Sequence, residues 1–398
     1  MVLAAATRAW LLESLRGAPT PQACANARAI GAALRRAGYT SRAIGERILR
    51  GTPVVAAAAP TQVLRRAATA AAPARRDEVD ALIALFALGL PVDRRELPTS
   101  YETLAPLLIE DDEIRARCMV VPVGALQDAG ADLYVTTDLP PEKRRDEEPC
   151  MYLGPDSLAL ADIASKLATH KRVADLCAGS GVQGLVAARA GALSIEWVEP
   201  QSRAAAFCRL NAALNGVPGR VVEARVDAVD GSQFDLILAN PPYVATPALA
   251  YDAFADGGLD GYDVLCDVVE YASLNLASEG LLACVFELNG PPEALFAKLE
   301  AAWTTGGARC ALIHDTLNER TSPAAAAARR GGDAADAWLA NYEDRGVDRV
   351  ANAILLLGRS GGGFEVDVEA CARAWAPPPT NVEARRAVAR AVGWVSGV

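Results

Sequence analysis

Hydrophobic residues follow two different spacings along this chain, and the change of spacing divides it. In the first 110 residues, apolar positions such as Ile30, Leu34, Ile44 and Ile48 recur at the three- to four-residue spacing of a helix face. From Met151 onward, short apolar runs alternate with helical patterns at intervals of about 20–30 residues, as expected for βαβ units. The pattern predicts a helical N-terminal region followed by an α/β domain with a mostly parallel sheet.

The same pattern predicts where the domains begin and end. Runs of charge, proline and glycine separate the periodic segments, and such runs are typical of linkers. The predicted divisions are residues 1–24 as a flexible N-terminus or cleavable leader, 25–110 as a helical, winged-helix-like accessory domain, 111–150 as a β connector and linker, 151–360 as the α/β domain with an insertion at 314–346, and 361–398 as a C-terminal tail.

Residues 151–360 are predicted to form an open sheet of seven strands with helices between them. Helices are predicted at 157–168, 182–190, 201–214, 262–277 and 292–303, and at about 333–344 in the insertion. Strands are predicted at 172–176, 194–199, 221–226, 234–239, 281–287, 308–313 and 349–358, and the last of them closes the sheet.

Composition limits the classes of protein. The chain has 398 residues, 52% of them hydrophobic, enough for a large core, and no uninterrupted apolar run of ~18 residues that would cross a membrane. The nine cysteines form no Cys-x-x-Cys pair, and His170 and His314 are the two histidines. We therefore expect no metal site, no disulfide framework and no membrane partner, and a reducing compartment is favoured.

Charge is distributed unevenly along the chain. Residues 1–76 carry twelve arginines, no lysine and two acids, a net charge of +10, so the chain total of −10 leaves −20 for the remainder. Three interpretations stay open for this basic segment: an organellar transit peptide, a face that binds nucleic acid, or a solvated helical face. The expected location is cytoplasmic, or an organelle if the N-terminus is a transit peptide.

The stretch DLCAGSGVQG, residues 175–184, places three glycines at a strand-to-helix turn, where backbone amides can approach a cofactor closely. This glycine spacing serves dinucleotides and S-adenosylmethionine alike. Asp175 stands at the strand end just before the turn, where its carboxylate would repel the pyrophosphate of a dinucleotide. The ammonium and sulfonium groups of S-adenosylmethionine would instead be attracted, so charge favours S-adenosylmethionine as the cofactor.

A second acid follows at the end of the next predicted strand. Glu199 lies 24 residues beyond Asp175, a position from which a carboxylate can accept from both ribose hydroxyls of a cofactor. The alternative is that Glu199 caps the helix that begins with PQSRAAAF.

The predicted strand at 234–239 stops at Asn240-Pro241-Pro242-Tyr243, because two prolines cannot continue a parallel ladder. Open α/β sheets bind ligands at this carboxyl edge. The Asn240 side-chain oxygen and the Pro241 carbonyl can accept hydrogen bonds from an amino group, and Tyr243 offers a ring on which a planar acceptor stacks. These four residues form the predicted catalytic loop.

Together the motifs resemble the S-adenosylmethionine-dependent methyltransferases of Rossmann-like fold with an Asn-Pro-Pro-Tyr loop, of the methyltransferase small-domain type. The resemblance rests on DLCAGSGVQGL, WVEPQSRAAAFCRLNAALNG, FDLILANPPYV and DGGLDGYDVL and covers about residues 150–358. Similar families are release-factor glutamine, ribosomal-RNA guanine and adenine methyltransferases, and a bacterial group with the same helical N-terminal region and a long insertion. The resemblance implies a seven-stranded Rossmann-like methyltransferase sheet and S-adenosylhomocysteine as product.

The resemblance also implies roles for individual residues. The cofactor-binding residues are Asp175, Cys177, Ala178, Gly179, Ser180, Gly181, Glu199, Pro200, Glu223, Ala224 and Asn240. One position departs from the pattern, because relatives carry an acid near position 224 that accepts from the adenine amino group. Here Ala224 stands between Glu223 and Arg225, so the adenine contact falls to Glu223 or to a neighbouring backbone carbonyl.

The methyl acceptor stays open between several classes. A nucleic acid would use the basic segment 1–76, but the acidic α/β domain would repel phosphates, so nucleic acid is not favoured. The insertion and the tail would narrow the mouth of the site, so the main prediction is a small polar metabolite, methylated on nitrogen or on a thioether sulfur that becomes a sulfonium of the dimethylsulfoniopropionate type. Methylation of a protein glutamine or of rRNA is the alternative, and a non-catalytic scaffold is a minor one.

Side chains that would contact this acceptor are predicted around the catalytic loop and at the entry to the α/β domain. For the aromatic ones other than Tyr243, ordinary packing is the alternative. The predicted substrate-binding residues are Leu153, Ser157, Tyr243, Tyr251, Phe254 and Trp338.

Overall fold

The structure is a computed structural model that describes residues 10–48, 77–98, 101–124, 132–139, 149–229, 233–248, 251–316, 322–375 and 381–397. Parts of the predicted leader (1–9), of the arginine-rich segment (49–76) and of the linker (140–148) lie outside these residues. The chain forms two compact units. The first comprises Met1–Pro155, Gly179–Leu185 and Glu199–Glu223, and the second comprises Asp156–Ala178, Val186–Val198 and Ala224–Val398.

The helices and strands are named here in chain order. The helices are α1 (Pro21–Arg36), α2 (Ser41–Ile48), α3 (Glu78–Leu82), α4 (Tyr101–Leu104), α5 (Pro155–Leu167), α6 (Val182–Arg189), α7 (Ser202–Asn215), α8 (Asp263–Asn275), α9 (Pro292–Ala302), α10 (Pro323–Gly331), α11 (Ala335–Asp344) and α12 (Val382–Ser396). The strands are β1 (Leu108–Glu110), β2 (Ile114–Ala116), β3 (Met119–Val123), β4 (Leu133–Thr137), β5 (Arg172–Leu176), β6 (Ser194–Val198), β7 (Arg220–Val222), β8 (Phe234–Ala239), β9 (Leu276–Asn289), β10 (Gly307–Asp315), β11 (Val350–Ser360) and β12 (Phe364–Cys371).

The helical N-terminal region predicted from the spacing is confirmed. Helix α1 begins where Thr20 accepts a hydrogen bond from the Ala23 amide at 3.2 Å and Pro21 occupies the first helical turn. Its apolar face, including Ile30 and Leu34, is fully buried. The likeness to a winged helix stays a prediction. Among the described residues of this region, the short strands form two antiparallel pairs, β1 with β2 and β3 with β4.

The predicted α/β fold class is confirmed, with one strand more than expected. The sheet has eight strands in the order β12-β10-β11-β9-β8-β5-β6-β7. Strand β8 pairs in parallel with β5 and with β9, so the carboxyl ends of these three strands lie at one edge. The loops that follow β5 and β8 are the two that carry the predicted motifs.

The far end of the sheet differs from the prediction. Strand β11, expected to close the sheet, lies between β9 and β10 and is antiparallel to both. The edge is β12, which comes from the predicted tail and pairs in parallel with β10. Acids and valines alternate along β12 with the two-residue period of a strand that has two unlike faces. The segment follows three glycines, and the sequence pattern places it in the tail.

The insertion also contains more structure than predicted. The helix expected at about 333–344 is α11, and α10 precedes it with Arg330 in its last turn. Within the described ranges, no helix is both long enough and apolar enough to cross a bilayer.

A buried ion pair lies in the first unit. Arg203 on α7 donates to both carboxylate oxygens of Asp138, with Nε at 2.9 Å and Nη2 at 2.5 Å, and the side chains are 6% and 2% exposed. Asp138 also accepts from the Cys150 amide at 2.7 Å, and the Arg203 guanidinium lies 4.7 Å from the Trp10 ring centroid. The arginine therefore neutralises a carboxylate that water cannot reach.

We expect Arg203→Met to lower the free energy of unfolding by about 3–5 kcal/mol, because it leaves the Asp138 carboxylate buried and uncompensated. Urea denaturation followed by circular dichroism measures the loss. The matched control is Arg172→Met, which removes an equally bidentate partner from Asp235 at an exposed position and should change stability far less. Equal losses in the two variants would contradict the role assigned to burial.

Candidate functional site

The glycine turn follows β5 and holds an unusual backbone. Cys177, Gly179 and Gly181 all have positive φ angles, of 53°, 52° and 76°. Glycine adopts this conformation freely, whereas Cys177 adopts it at a cost in strain, a feature common where a loop binds a ligand. A Cβ added at Gly179 would meet no atom within 4 Å, so the turn leaves open space over its backbone. This open cradle fits a bound cofactor.

In the first unit, Glu199 holds the glycine turn through a hydrogen bond to its backbone. Its carboxylate accepts from the Gly179 amide at 2.8 Å and from the Gln201 amide at 2.9 Å, and the residue is 6% exposed. The hydrogen bond from the Gln201 amide satisfies a backbone donor at the start of α7. This agrees with the alternative that Glu199 caps this helix. A carboxylate has about four acceptor positions, so two remain for ribose hydroxyls. Burial raises the pKa of Glu199, while its two backbone hydrogen bonds oppose the rise.

The other predicted cofactor residues lie along the same loops. Asp175 is buried at the end of β5, and the Ala178 amide donates to the Val198 carbonyl at 3.1 Å. In the first unit, the Ser180 carbonyl accepts from the side chain of Asn211 on α7 at 2.9 Å. This hydrogen bond holds the glycine turn at Ser180. Pro200 is exposed. The assignment of these residues to the cofactor stays a prediction.

The predicted adenine contacts have separate environments. Glu223 is exposed, and Arg209 donates to its carboxylate from two nitrogens at 3.3 Å. Ala224 is half-buried and offers only backbone groups to an adenine amine. The ion pair occupies part of the Glu223 carboxylate, which favours a backbone carbonyl as the adenine acceptor.

Asn240 is the most constrained residue of the predicted catalytic loop. Its Nδ2 donates to Oδ2 of Asp156 at 2.8 Å and to Oγ of Ser157 at 3.3 Å, both in the first turn of α5. Its Oδ1 is buried and has no hydrogen-bond partner in the part of the chain that the structure describes. A buried acceptor without a donor is costly, and such atoms mark sites that a ligand completes. That Asn240 Oδ1 accepts from a substrate amine stays a prediction, with which this free buried oxygen is consistent.

Asp156 is the partner that orients Asn240. Burial raises the pKa of this carboxyl, while hydrogen bonds from Asn240 and from the backbone amides of the first turn of α5 lower it. The charge of Glu287, on β9, adds to the rise. As a carboxylate, Asp156 can only accept, so it holds the Asn240 amide nitrogen toward itself and leaves Oδ1 on the other side.

Tyr243 ends the loop beside an aromatic residue of the predicted tail. Its ring is half-buried and lies 5.6 Å from the Trp375 ring centroid, at 54° between planes. Trp375 in turn donates from Nε1 to the Ala353 carbonyl at 2.9 Å. Pro241 is buried and Pro242 half-buried. The backbone at Tyr243 passes close to Gly257. A Cβ added at Gly257 would lie 2.9 Å from the Cα of Tyr243.

The remaining predicted substrate residues are mostly packed. Trp338 is 3% exposed and lies edge-on to Tyr251 at 5.2 Å, which favours the packing alternative for Trp338. Tyr251 is 38% exposed. Phe254 is half-buried and Leu153 is buried. Substrate contact at these positions stays a prediction.

Sequence reasoning missed four polar or aromatic residues, which are Asp156, Trp375, Glu287 and Arg330. Asp156 contacts Asn240, Trp375 contacts Tyr243, and Glu287 and Arg330 pair with each other. Asp156 carried a usable signal, because an acid directly after proline at a helix start is typical of a first turn. The other three come from distant segments and carried none.

Part of the chain is similar to a known family. Residues 156–302 match the family model of the methyltransferase small domain. The predicted resemblance to methyltransferases of Rossmann-like fold is confirmed, and so, for the matched segment, are the methyltransferase class and S-adenosylmethionine as its cofactor.

The individual relatives are also named as methyltransferases. A ribosomal protein uL3 glutamine methyltransferase from Bradyrhizobium diazoefficiens is 32% identical over 29% of this chain and 40% of its own length. A tRNA1(Val) adenine methyltransferase from Aeromonas hydrophila is 35% identical over 31% of this chain and 56% of its own length. The solved structure of a 16S rRNA methyltransferase from T. thermophilus shares 16% identity, covering 77% of this chain and 71% of its own, with a TM-score of 0.37. The chain spans about half the length of the curated relatives it matches.

The prediction of a small-molecule acceptor is wrong. The curated relatives are named as methyltransferases of ribosomal protein, release factor, tRNA and rRNA, which are macromolecular acceptors. The insertion was expected to narrow the mouth of the site, whereas α10 and α11 pack against the segment after the catalytic loop in one apolar cluster.

We expect Glu199→Gln to weaken binding of S-adenosylmethionine by about 10- to 100-fold, the value of hydrogen bonds to a charged group, as measured by calorimetry. Because burial raises the pKa of Glu199 and ribose hydroxyls need the carboxylate, affinity should also fall as the pH drops through this raised pKa. Glu223→Gln is the control and should bind within a few-fold of wild type. Unchanged affinity in Glu199→Gln would remove this residue from the cofactor site.

Proposed function

We propose that the protein transfers the methyl group of S-adenosylmethionine to the side-chain amide nitrogen of a glutamine in a protein substrate. The observation that carries this proposal is the buried Asn240 Oδ1, which lacks a hydrogen-bond partner among the described residues while Nδ2 of the same side chain is held by Asp156. Four of the curated relatives are named glutamine methyltransferases, which supports the same acceptor.

The chemistry requires a nitrogen lone pair directed at the methyl carbon. S-adenosylmethionine, when bound, supplies a methyl group on a positively charged sulfur. An amide lone pair is conjugated with its carbonyl, so the two N–H groups must be held while the nitrogen becomes pyramidal. Asn240 Oδ1 and the Pro241 carbonyl are the proposed acceptors for these two N–H groups. The N–C bond forms as the S–C bond breaks with its electron pair left on sulfur, and one nitrogen proton passes to water.

Charge next to the catalytic loop supports a protein rather than a nucleic acid. Residues 251–263 hold four aspartates and no basic side chain. They bind the residue that follows the loop, because the Val244 amide donates to the Ala255 carbonyl at 2.9 Å. Lys298 pairs with one of the four, Asp260, at 2.8 Å. The remaining acids would repel a phosphate backbone and attract a basic peptide segment.

The basic N-terminal segment is less available to nucleic acid than its composition suggests. Within residues 10–48, Arg16 pairs with Glu13 at 3.0 Å and Arg42 with Glu46 at 2.7 Å. Arg47 contacts both Asp77 and Asp80, at 2.5 and 2.7 Å. Glu13 and Glu46 are already counted in the net charge of +10, so the pairs of Arg47 with Asp77 and Asp80 are the ones that lower it further. All three pairings are consistent with the solvated helical face among the three interpretations.

We expect Asn240→Ala to lower kcat by roughly 100-fold or more with little change in cofactor affinity, because the lost hydrogen bond acts on the reacting nitrogen. Steady-state kinetics and calorimetry separate the two effects. Tyr243→Phe is the control within the loop and should keep most activity, since stacking needs only the ring, whereas Tyr243→Ala should lose it. Wild-type turnover by Asn240→Ala would refute this loop as the acceptor site.

The acceptor class is tested with a labelled methyl donor and three fractions from the source cell: ribosomal proteins, release factors and total RNA. We expect label in a protein fraction, located on a glutamine by mass spectrometry, with a rate that falls less steeply with salt than phosphate binding would. Asn240→Ala provides the background. Label confined to RNA, with steep salt dependence, would replace glutamine by a nucleobase amine as the acceptor.

A further inference from the structure

A cavity of about 240 Å³ lies within the second unit, between α5 and α12. Its walls are mostly apolar, and Ile163, Ile354 and Val388 are among the side chains that line it. Protein interiors normally leave few voids larger than one water molecule, and a dry cavity of about 150 Å³ is already large enough to bind benzene. The cavity between α5 and α12 therefore has room for a molecule of one or two rings.

One buried polar side chain that lines this cavity has an incomplete set of hydrogen bonds. Asn381, the residue before α12, is 4% exposed, and its Nδ2 donates to Oδ2 of Asp162 on α5 at 2.9 Å. Because a carboxylate can only accept, the amide nitrogen must face Asp162 and Oδ1 must point away from it. Oδ1 is buried and has no hydrogen-bond partner among the described residues. The wall of the cavity thus holds an acceptor without a donor.

The place of Asn381 at a helix start makes its free oxygen unusual. An asparagine before a helix ordinarily turns its side-chain oxygen to a backbone amide of the first turn. Asn381 makes no such bond, although its backbone carbonyl accepts from the Arg385 amide at 2.8 Å. A buried acceptor without a donor lowers the stability of a fold. A ligand that donates to Oδ1 would remove this cost, so the site favours a ligand with a hydrogen-bond donor.

The charged side chains at this cavity are already paired with one another. Asp162, with its side chain 4% exposed, accepts from Lys166 at 2.7 Å and from Arg385 at 2.6 and 2.8 Å. The two basic side chains are 34% and 32% exposed, so they lie toward solvent. A charged ligand would have to compete with these pairs, whereas a neutral apolar body leaves them intact. The charges therefore favour a neutral ligand.

We propose that the cavity between α5 and α12 binds a small, neutral ring compound whose N–H or O–H group donates to Asn381 Oδ1. This ligand is distinct from the methyl acceptor, because the part of α5 that lines the cavity begins at Ala159, about one turn beyond the Asp156 that holds Asn240. The proposal does not depend on the proposed function, and a failure of that function would leave it in place. The bound ligand would bridge two helices that Asp162 and Arg385 already join.

The test measures binding of indole and benzofuran to the full-length chain by calorimetry. The two probes have nearly the same size and shape, but indole carries an N–H donor where benzofuran carries an oxygen that can only accept. We expect indole to bind about tenfold more tightly than benzofuran, because benzofuran leaves Asn381 Oδ1 unpaired. Equal affinities for the two probes, or no binding of indole up to its solubility limit, would overturn the proposal.

Two variants locate the binding site. Asn381→Leu removes the acceptor at similar volume, so indole should lose its advantage over benzofuran. Ala384→Leu extends a buried wall residue into the cavity and should abolish binding of both probes. The matched control is Ala301→Leu, at an exposed position of α9, which should bind indole as wild type does.

Circular dichroism checks that each variant folds. If Ala384→Leu does not fold, Ala389→Trp provides the same test, because Ala389 lines the cavity at an exposed position of α12 and a tryptophan there would cover the opening without entering the core. Unchanged indole affinity in the folded cavity variant, or an unchanged preference for indole in Asn381→Leu, would place the probe elsewhere and overturn the proposal.

Discussion

The hydrogen bond from Asn240 to Asp156 is the constraint on which the candidate site depends. It joins the end of β8 to the first turn of α5, 84 residues apart in the chain. Two prolines stiffen the backbone after Asn240, but they do not decide which end of its carboxamide faces inward. The buried carboxylate decides that, because it can only accept. Backbone geometry and side-chain charge thus specify different properties of the same residue.

The motifs that were predicted correctly are those set by local backbone rules. A few neighbouring residues determine the conformation of a glycine turn after an apolar strand. The same holds for a proline pair that ends a strand. The parallel pairing of β5 with β8 agrees with the mostly parallel sheet that the same alternation predicted. The strand β12 was missed because its exposed, charged face weakens the apolar signal on which strand prediction relies.

The contacts that surround the site could not be predicted in the same way. Glu287 and Arg330 are 43 residues apart, and each is an ordinary charged residue in its own segment. Trp375 reaches Tyr243 from beyond the last predicted strand. Such pairs are selected by packing of distant elements, and a single sequence carries no period or spacing that reports them. The acceptor prediction failed at this level, since it inferred a narrow mouth from segment length alone.

The alternating acids of β12 have a consequence for the exposed rim of the sheet. Glu365 pairs with Arg309 at 3.0 Å and Glu369 with Arg390, while Val366 and Val368 stay 47% and 44% exposed. An edge strand with exposed valines would ordinarily invite another strand to add to it. A second copy of β12 would bring its own acids against these acids, and like charges on facing strands repel. The acids of β12 therefore oppose sheet extension between molecules at this rim.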